Sequence, residues 1–135
     1  MSEADVEIVR ILYDAFDSKD LDSVVGLLAD DMVATVAPGV PWSGTYYGPE
    51  GFRRFLEIID EYVELSIETD SLTDTGSAVR QVGRTTGHAH VSRTVFSFDE
   101  VHLWGVRDGK IVSFSNSSDI DEQRRVLAPD LEFSV

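Results

Sequence analysis

The sequence predicts an α+β fold in which three N-terminal helices pack on a strongly bent, mostly antiparallel sheet. Apolar residues recur at helical spacing before Val63, whereas strand-like alternation dominates after it. Turn residues then divide this second part into hairpins. A bent sheet closed by helices makes a cone, so we expect a cone-shaped barrel whose wide end forms a pocket.

The size of the chain predicts a single domain covering residues 1–135. Of its 135 residues, 42% are hydrophobic, which is enough for a buried core. No apolar run is long enough to span a membrane, and the acidic N-terminus lacks the apolar centre of an export signal. We therefore expect a cytoplasmic protein. The chain has no cysteine, which excludes disulfide bonds.

The charge of this acidic protein argues against several classes of partner. The formal net charge is −14, so the phosphates of nucleic acids and of anionic membranes would be repelled. No phosphate-binding loop, dinucleotide fingerprint or Ser-His-Asp order occurs. His88 and His90 share a strand face that is predicted to point outward, and further metal ligands are missing. We expect no metal, no cofactor, no nucleic acid and no membrane partner.

The first two helices are predicted by apolar residues at helical spacing. Residues 3–18 place Val6, Val9, Tyr13 and Phe16 on one stripe. We expect Ser2 to cap this helix and Asp20 to cap the next. The second helix carries Leu21, Val24, Val25 and Leu28 at the same kind of spacing. We expect it to end at Asp30-Asp31 and the stretch from Met32 to Ala37 to form a short strand.

A loop and a third helix follow. The stretch from Pro38 to Gly48 is predicted as a loop because proline, glycine and aromatic residues dominate it. Pro49 suits the first turn of a helix. The buried stripe of this helix is expected to consist of Phe52, Phe55, Leu56 and Ile59.

Two alternating stretches predict the next strands. Apolar Val63, Leu65 and Ile67 alternate with polar residues, which is typical of a half-buried strand. After a turn at Thr73 to Gly76, a second strand is predicted from Ala78 to Val91. Its odd positions carry small residues and are expected to point inward. Gly83 and Gly87 among them suit a strongly bent strand.

The last hairpin, Ser97 to Asp119, admits two registers. A two-residue turn at Asp108-Gly109 would pair Arg107 with Lys110. His102 would then share a face with serines of the second strand. This register mixes large apolar residues with small polar ones on both faces, so the sequence disfavours it.

A three-residue turn separates the two kinds of residue better, and we expect this register. It places Glu100 opposite Asn116 and His102 opposite Phe114. After the hairpin, residues 120–127 are expected to form one more helical turn before a tail.

Glu100, His102 and Asn116 are the candidate catalytic residues, because the expected register turns all three toward the pocket. Among apolar neighbours the charged form of Glu100 loses hydration, so its pKa should rise toward neutrality. A carboxyl group poised in this way can move a proton on or off a carbon next to a carbonyl. The structural alternatives are a solvated Glu100 at the sheet rim, a satisfied core His102 and an Asn116 that caps a buried polar group.

Aromatic residues are the candidates for ligand contact. They are Tyr13, Phe16, Trp42, Tyr46, Phe55, Trp104 and Phe114. Such residues more often belong to the core, where each stabilises the fold by roughly 1.5 to 3 kcal/mol. Trp42 and Tyr46 differ, because their loop is expected to cover the mouth of the pocket. A small apolar ligand is therefore the expected partner.

An ordered set of motifs spans nearly the whole chain. It consists of Asp20-Leu21-Asp22, LLADDMV, Gly44-x-Tyr46-x-Gly48-x-Glu50-Gly51-Phe52, VHLWGVRDGKIVSF and Asp119. In this order the sequence resembles the nuclear transport factor 2-like superfamily. Within it, the resemblance is to the SnoaL-like group of polyketide cyclases, which is related to the ketosteroid isomerases. The resemblance implies a cone-shaped α+β barrel with an internal ligand pocket, usually a homodimer packed through the outer sheet face.

The resemblance also assigns family positions. It implies that His102 matches the histidine of the cyclases and that Asn116 stands where they carry an aspartate. The aspartate base of the ketosteroid isomerases falls on Val36, and their tyrosine falls on Leu12, next to Tyr13.

These observations predict a small-molecule pocket protein for a flat apolar ligand of polyketide, steroid or aromatic type. As an enzyme it would need no cofactor and would transfer protons in an isomerisation, cyclisation or dehydration. Glu100 or His102 would be the base, and Asn116 or Tyr13 the oxyanion donor. The alternatives are a non-catalytic ligand-binding module that has lost the family's aspartate base and a dimerisation domain whose cavity is filled by side chains.

Overall fold

The structure is a computed structural model that describes residues 3–118 and residue 125. Its helices are α1 (Glu3–Asp17), α2 (Leu21–Gly26) and α3 (Gly48–Tyr62). Its strands are β1 (Leu28–Val36), β2 (Gly44–Tyr47), β3 (Val63–Asp74), β4 (Val79–Ala89), β5 (Val95–Arg107) and β6 (Lys110–Ser118). The predicted α+β class is confirmed. The helical turn expected at 120–127, the tail after it and the cap expected at Ser2 lie outside the described residues.

The six strands found in the described residues form one sheet in the order β2-β1-β6-β5-β4-β3. Neighbours are antiparallel except β1 and β6, which are parallel. Within the described residues the edge strands β2 and β3 do not pair with each other, so the sheet is open and not a closed barrel. The helices cover one face and provide the rest of the wall around the interior.

The second helix ends earlier than its apolar spacing predicts. The side chain of Asp20 caps its start by accepting the backbone N–H of Ser23 at 3.2 Å. The helix ends at Gly26, and β1 already begins at Leu28. Leu28 pairs with Ile111 of β6, so sheet pairing outweighs the helical periodicity of this stretch.

The predicted loop before the third helix contains a short edge strand. Residues Gly44–Tyr47 pair with β1. The sequence did not predict this strand, because the proline and glycine content of the stretch is typical of a loop. Pro49 occupies the first turn of α3, as expected. Phe52 and Phe55 of this helix are buried, and the other two members of its predicted stripe are partly buried.

The inward face of β4 is formed by its odd positions, as predicted. Val79, Gln81, Thr85 and Ala89 are buried on it. A Cβ atom at Gly83 would lie 2.1 Å from the carbonyl oxygen of Glu68, and one at Gly87 would lie 2.0 Å from that of Glu64. Only glycine permits this close approach of β3 to β4.

The last hairpin has the two-residue turn that the sequence disfavoured. Asp108 and Gly109 have φ angles of 51° and 77°, and Arg107 pairs with Lys110. Turns with two positive φ angles match the twist of hairpin strands, and Asp-Gly is a preferred pair for them. The expected three-residue turn is therefore wrong.

A β-bulge nevertheless keeps the expected faces. Val112 is an extra residue on β6, since the residues before and after it pair with consecutive residues of β5. The bulge shifts the pairing so that His102 lies opposite Asn116 and Trp104 lies opposite Phe114. The predicted cross-strand partners were wrong by two positions. Because side chains alternate between the two faces of a strand, a shift by an even number leaves every residue on its expected face. The large residues therefore still share one face.

None of the helices in the described part of the chain is long and apolar enough to cross a membrane.

Candidate functional site

A cavity of about 90 Å³ lies between the helices and the inward face of the sheet. Side chains of α1, α2 and α3 and of β3, β4, β5 and β6 line it. The lining is mostly aliphatic and aromatic, and its polar members are Tyr13, Thr85, Glu100, His102 and Asn116. An apolar pocket with a few convergent polar groups is the usual form of a small-molecule site. The three candidate catalytic residues are brought together in it.

A buried chain of hydrogen bonds links Trp104, Tyr13 and His102. The indole Nε1 of Trp104 donates to the Tyr13 hydroxyl at 2.8 Å, and that hydroxyl lies 2.6 Å from Nδ1 of His102. Indole is a donor only, so the Tyr13 oxygen accepts there and its own proton goes to His102. The chain therefore ties helix α1 to the centre of strand β5.

This chain of hydrogen bonds and the burial of the ring determine the charge and the tautomer of the His102 imidazole. Burial lowers the pKa of His102 from 6.5 to about 4, so the ring is neutral near pH 7. Because Nδ1 accepts from Tyr13, we infer that the proton of the neutral ring resides on Nε2. Burial also raises the pKa of Tyr13 well above its usual value, which keeps it a phenol. His102 thus lines the cavity as a hydrogen-bond donor and not as a base.

Glu100 is a buried carboxyl group with an altered acidity. Its side chain is 2% exposed, and burial raises its pKa from 4.5 to about 7. Hydrogen bonds from Thr85 and Gln81 oppose this rise, and the charges of Asp70 and Asp99 add to it. The carboxyl group therefore changes between its neutral and ionised forms near neutral pH, which is the direction of pKa shift that the sequence predicted.

Three buried oxygens of this region have no hydrogen-bond partner among the described residues. They are Oε1 of Gln81, Oε2 of Glu100 and Oδ1 of Asn116. The other carboxyl oxygen of Glu100 accepts from Thr85 at 3.3 Å. Buried polar groups are normally paired, and each one left unpaired costs about 1 to 3 kcal/mol. Glu100 and Asn116 line the cavity, so their two oxygens are candidates for ligand contact, whereas Gln81 is not among the lining residues.

Six of the seven predicted contact residues line the cavity. They are Tyr13, Phe16, Trp42, Phe55, Trp104 and Phe114. Tyr46 does not. Its hydroxyl donates to the carbonyl oxygen of Trp42 at 2.8 Å, and its ring packs on Phe55. Tyr46 therefore holds the loop that carries Trp42, and Trp42 itself lines the cavity.

Sequence reasoning missed Gln81 and Thr85 as parts of the site. Both are buried on the inward face of β4, and both influence Glu100. Gln81 also donates to the Thr69 hydroxyl at 3.2 Å, beside an irregularity in the pairing of β3 with β4. The signal was present, because a polar residue on an otherwise small, inward-facing strand face needs a partner.

A second depression of about 250 Å³ shares part of its wall with the cavity. The shared residues are Phe16, Leu56, Ile59, Val63 and Leu65. Its outer side carries acidic residues and Lys19, which is paired with Glu64 at 2.7 Å.

The part of the chain that the structure describes holds no group of three or more side chains arranged for a metal ion. His90, one of the two alternating histidines, has Nε2 at 2.7 Å from the carbonyl oxygen of Asp60. The positions that the resemblance assigned to other family residues are both buried. Val36 lies in β1, and Leu12 lines the cavity beside Tyr13.

Comparisons with known proteins agree with this architecture. The structure is similar to a nuclear transport factor 2-like protein of unknown function from Burkholderia pseudomallei, with 26% identity and a TM-score of 0.86 over 94% of this chain and 98% of that one. A nuclear transport factor 2-like protein from Burkholderia thailandensis is 28% identical, with a TM-score of 0.83 over 93% and 98% of the two chains. TerC, co-crystallised with polyporic acid, shares the fold at 19% identity, with a TM-score of 0.86 over 93% and 99%.

No curated protein matches the sequence. The SnoaL-like domain family, in contrast, matches residues 9–114, which is most of the chain and includes α2, α3 and the first five strands. The chain therefore belongs to the SnoaL-like domain family.

Proposed function

We propose that the protein is a cofactor-independent proton-transfer enzyme, an isomerase, cyclase or dehydratase, acting on a small, flat, mostly apolar carbonyl compound. One observation carries the proposal. A buried carboxyl group with a pKa of about 7 and one unpartnered oxygen shares an aromatic-lined cavity with a neutral imidazole donor. General bases work best when their pKa lies near the operating pH.

Glu100 is the base in this proposal. Its carboxylate takes a proton from the carbon next to the substrate carbonyl, and the electrons of that C–H bond form an enolate. Glu100 then returns the proton to another carbon, which gives isomerisation. In a cyclisation the enolate carbon instead bonds to the carbon of a second carbonyl group, the π bond of that carbonyl breaks, and the resulting alkoxide takes the proton from Glu100. Desolvation of the carboxylate makes it a stronger base than a carboxylate in water.

His102 is the electrophile that stabilises the enolate oxygen. A neutral imidazole suits this task, because its Nε2–H can donate to the developing oxyanion without first losing a charge. The Tyr13 hydroxyl donates to Nδ1 of His102. When Nε2 gives its proton to the enolate oxygen, the proton of Tyr13 can move to Nδ1. This refines the expected roles, since Tyr13 acts through His102 and not directly on the substrate. Asn116, opposite His102, completes the polar end of the cavity.

Exchange of substrate hydrogen with solvent deuterium tests the proposal. A panel of small aryl ketones in deuterated water, followed by proton NMR, should show enzyme-dependent loss of the signal next to the carbonyl. Glu100→Gln and His102→Ala should each abolish the exchange while each variant still unfolds cooperatively at a temperature well above that of the assay. Ser117→Ala, on the outer face of the same strand as Asn116, is the matched control. Exchange that survives both site substitutions would sink the assignment.

A non-catalytic ligand-binding module is the second candidate. It is favoured by Asn116, an amide that cannot take up a proton where the resemblance places a carboxylate. The co-crystallisation of TerC with polyporic acid supports a small organic ligand in either case. Ligands that raise the Tm of the protein but undergo no exchange would favour this candidate, because binding to the native state must stabilise it.

We also propose that the protein forms a homodimer through the sheet face that points away from the helices. Val95 and Leu103 on that face are 79% and 41% exposed. Light scattering should give a dimer mass for wild type and a monomer mass for Leu103→Glu. A monomeric wild type would contradict this proposal.

A further inference from the structure

We infer that the ligand of the cavity is a hydroxycarbonyl compound, with a hydroxyl or enol group on a carbon adjacent or next-adjacent to its carbonyl. The inference deepens the proposed function and rests on it for the position of the carbonyl at His102.

Unpartnered acceptors give the first half of the pattern. Oε2 of Glu100 and Oδ1 of Asn116 are buried, line the cavity and have no partner among the described residues. Neighbouring donors among the described residues are already used, and the Gln81 amide, which donates to the Thr69 hydroxyl, also hydrogen-bonds the carboxyl group of Glu100. The Thr85 hydroxyl contacts the other oxygen of Glu100, and the Tyr13 hydroxyl contacts His102. A ligand that offers only a carbonyl would leave these acceptors buried and unpaired.

The imidazole gives the second half. Because Nδ1 of His102 accepts from Tyr13, the ring proton resides on Nε2, and since His102 lines the cavity this N–H is a donor for a ligand acceptor. A ligand oxygen without a hydrogen, such as a carbonyl oxygen, satisfies it. The polar end of the ligand must therefore combine one acceptor with at least one donor.

The spacing places donor and acceptor close together on the ligand. His102 and Asn116 are directly opposite each other on neighbouring strands, where Cβ atoms lie about 5 Å apart. Glu100 is two residues along the same strand as His102, about 7 Å away. The rings of Trp104 and Phe114, 4.5 Å apart, lie next to this group and suit an aromatic body. One short polar edge on a flat ring system fits this arrangement.

A matched probe series tests the inference without requiring turnover. Calorimetric titration compares phenacyl alcohol, which has a carbonyl and a hydroxyl donor, with its methyl ether, which has the same oxygens but no donor. Phenacyl alcohol should bind about tenfold more tightly than the ether, as expected for one buried hydrogen bond. Asn116→Leu and Glu100→Leu should each reduce this ratio to about threefold or less, and Ser117→Ala should leave it unchanged.

Acidity provides a second readout. Below pH 7 Glu100 takes up a proton and loses an acceptor, so the preference for the alcohol over the ether should shrink. Equal affinities of the two probes, a ratio that persists in both leucine variants, or no binding of either probe would overturn the inference. A clear preference without any hydrogen exchange would remove the proposed catalysis and leave the hydroxycarbonyl recognition intact.

Discussion

His102 receives a 2.6 Å hydrogen bond from Tyr13, although 89 residues separate them in the chain. This contact joins α1 to β5 inside the cavity, and it decides which nitrogen of the imidazole carries the proton. The polarity of the site therefore depends on where a helix docks as well as on the sheet.

The first prediction concerns the tautomer of His102. In wild type, nitrogen NMR of labelled histidine should show His102 neutral and protonated at Nε2 from about pH 5.5 upward, because its pKa is lowered to about 4. Tyr13→Phe should allow the other tautomer and destabilise the fold by about 1 to 3 kcal/mol, since two buried groups lose a partner. The other histidine signals in the spectrum come from His88 and His90. A wild-type His102 protonated at Nδ1 would contradict the donor chain.

The second prediction is the pH dependence of catalysis. Glu100 must be ionised to act as a base, and its pKa is raised to about 7. The value of kcat/KM should therefore rise about tenfold per pH unit below pH 7 and level off above it. His102 titrates near pH 4 and should add no step in the neutral range. A flat profile from pH 5 to 9, measured with any substrate that exchanges, would exclude Glu100 as the base.

The third prediction is a pH-dependent stability difference between wild type and Glu100→Gln. The pKa of Glu100 is raised from 4.5 to about 7, so between these values the folded state holds a proton that the unfolded chain has lost. The free energy of unfolding of wild type therefore falls as pH rises through this window. Glutamine has no such proton, so the variant should gain up to about 3 kcal/mol relative to wild type across the window.

Urea unfolding near pH 4.5 and pH 8 measures this gain. The lowered pKa of His102 gives a slope of opposite sign, but it is common to both proteins and cancels in the difference. A stability difference that does not change with pH would mean that Glu100 is ordinarily acidic and solvated.

The sequence predicted the faces of the last hairpin but not its pairing. Alternation identifies which residues share a face, because its period is two, and Glu100, His102, Trp104 and Phe114 are indeed buried together. The same alternation cannot distinguish registers that differ by two positions. The β-bulge at Val112 shifts the register by such an amount, and no residue type in this stretch predicts a bulge.

The long-range parts of the site were also beyond sequence reasoning. Tyr13 and Trp104 both combine an apolar ring with one polar group. Nothing in their positions along the sequence shows that the indole of Trp104 donates a hydrogen bond to the Tyr13 hydroxyl. The pKa of Glu100 was predictable in direction, because burial among apolar residues always favours the neutral acid. Gln81 was predictable as an inward-facing residue but not as a neighbour of Glu100.

The last prediction introduces a second carboxylate into the cavity. Asn116 lies opposite His102 and on the same face as Glu100, so Asn116→Asp adds a negative charge beside the base. Two carboxylates in one buried site cannot both ionise easily, and the pKa of Glu100 should rise by about one unit. The midpoint of the pH–rate profile should move upward by the same amount. Ser117→Asp adds the same charge one residue away on the solvent-exposed outer face, where screening should reduce its effect to about 0.3 unit or less. An equal shift in both variants would show that Asn116 is not part of the same cavity as the base.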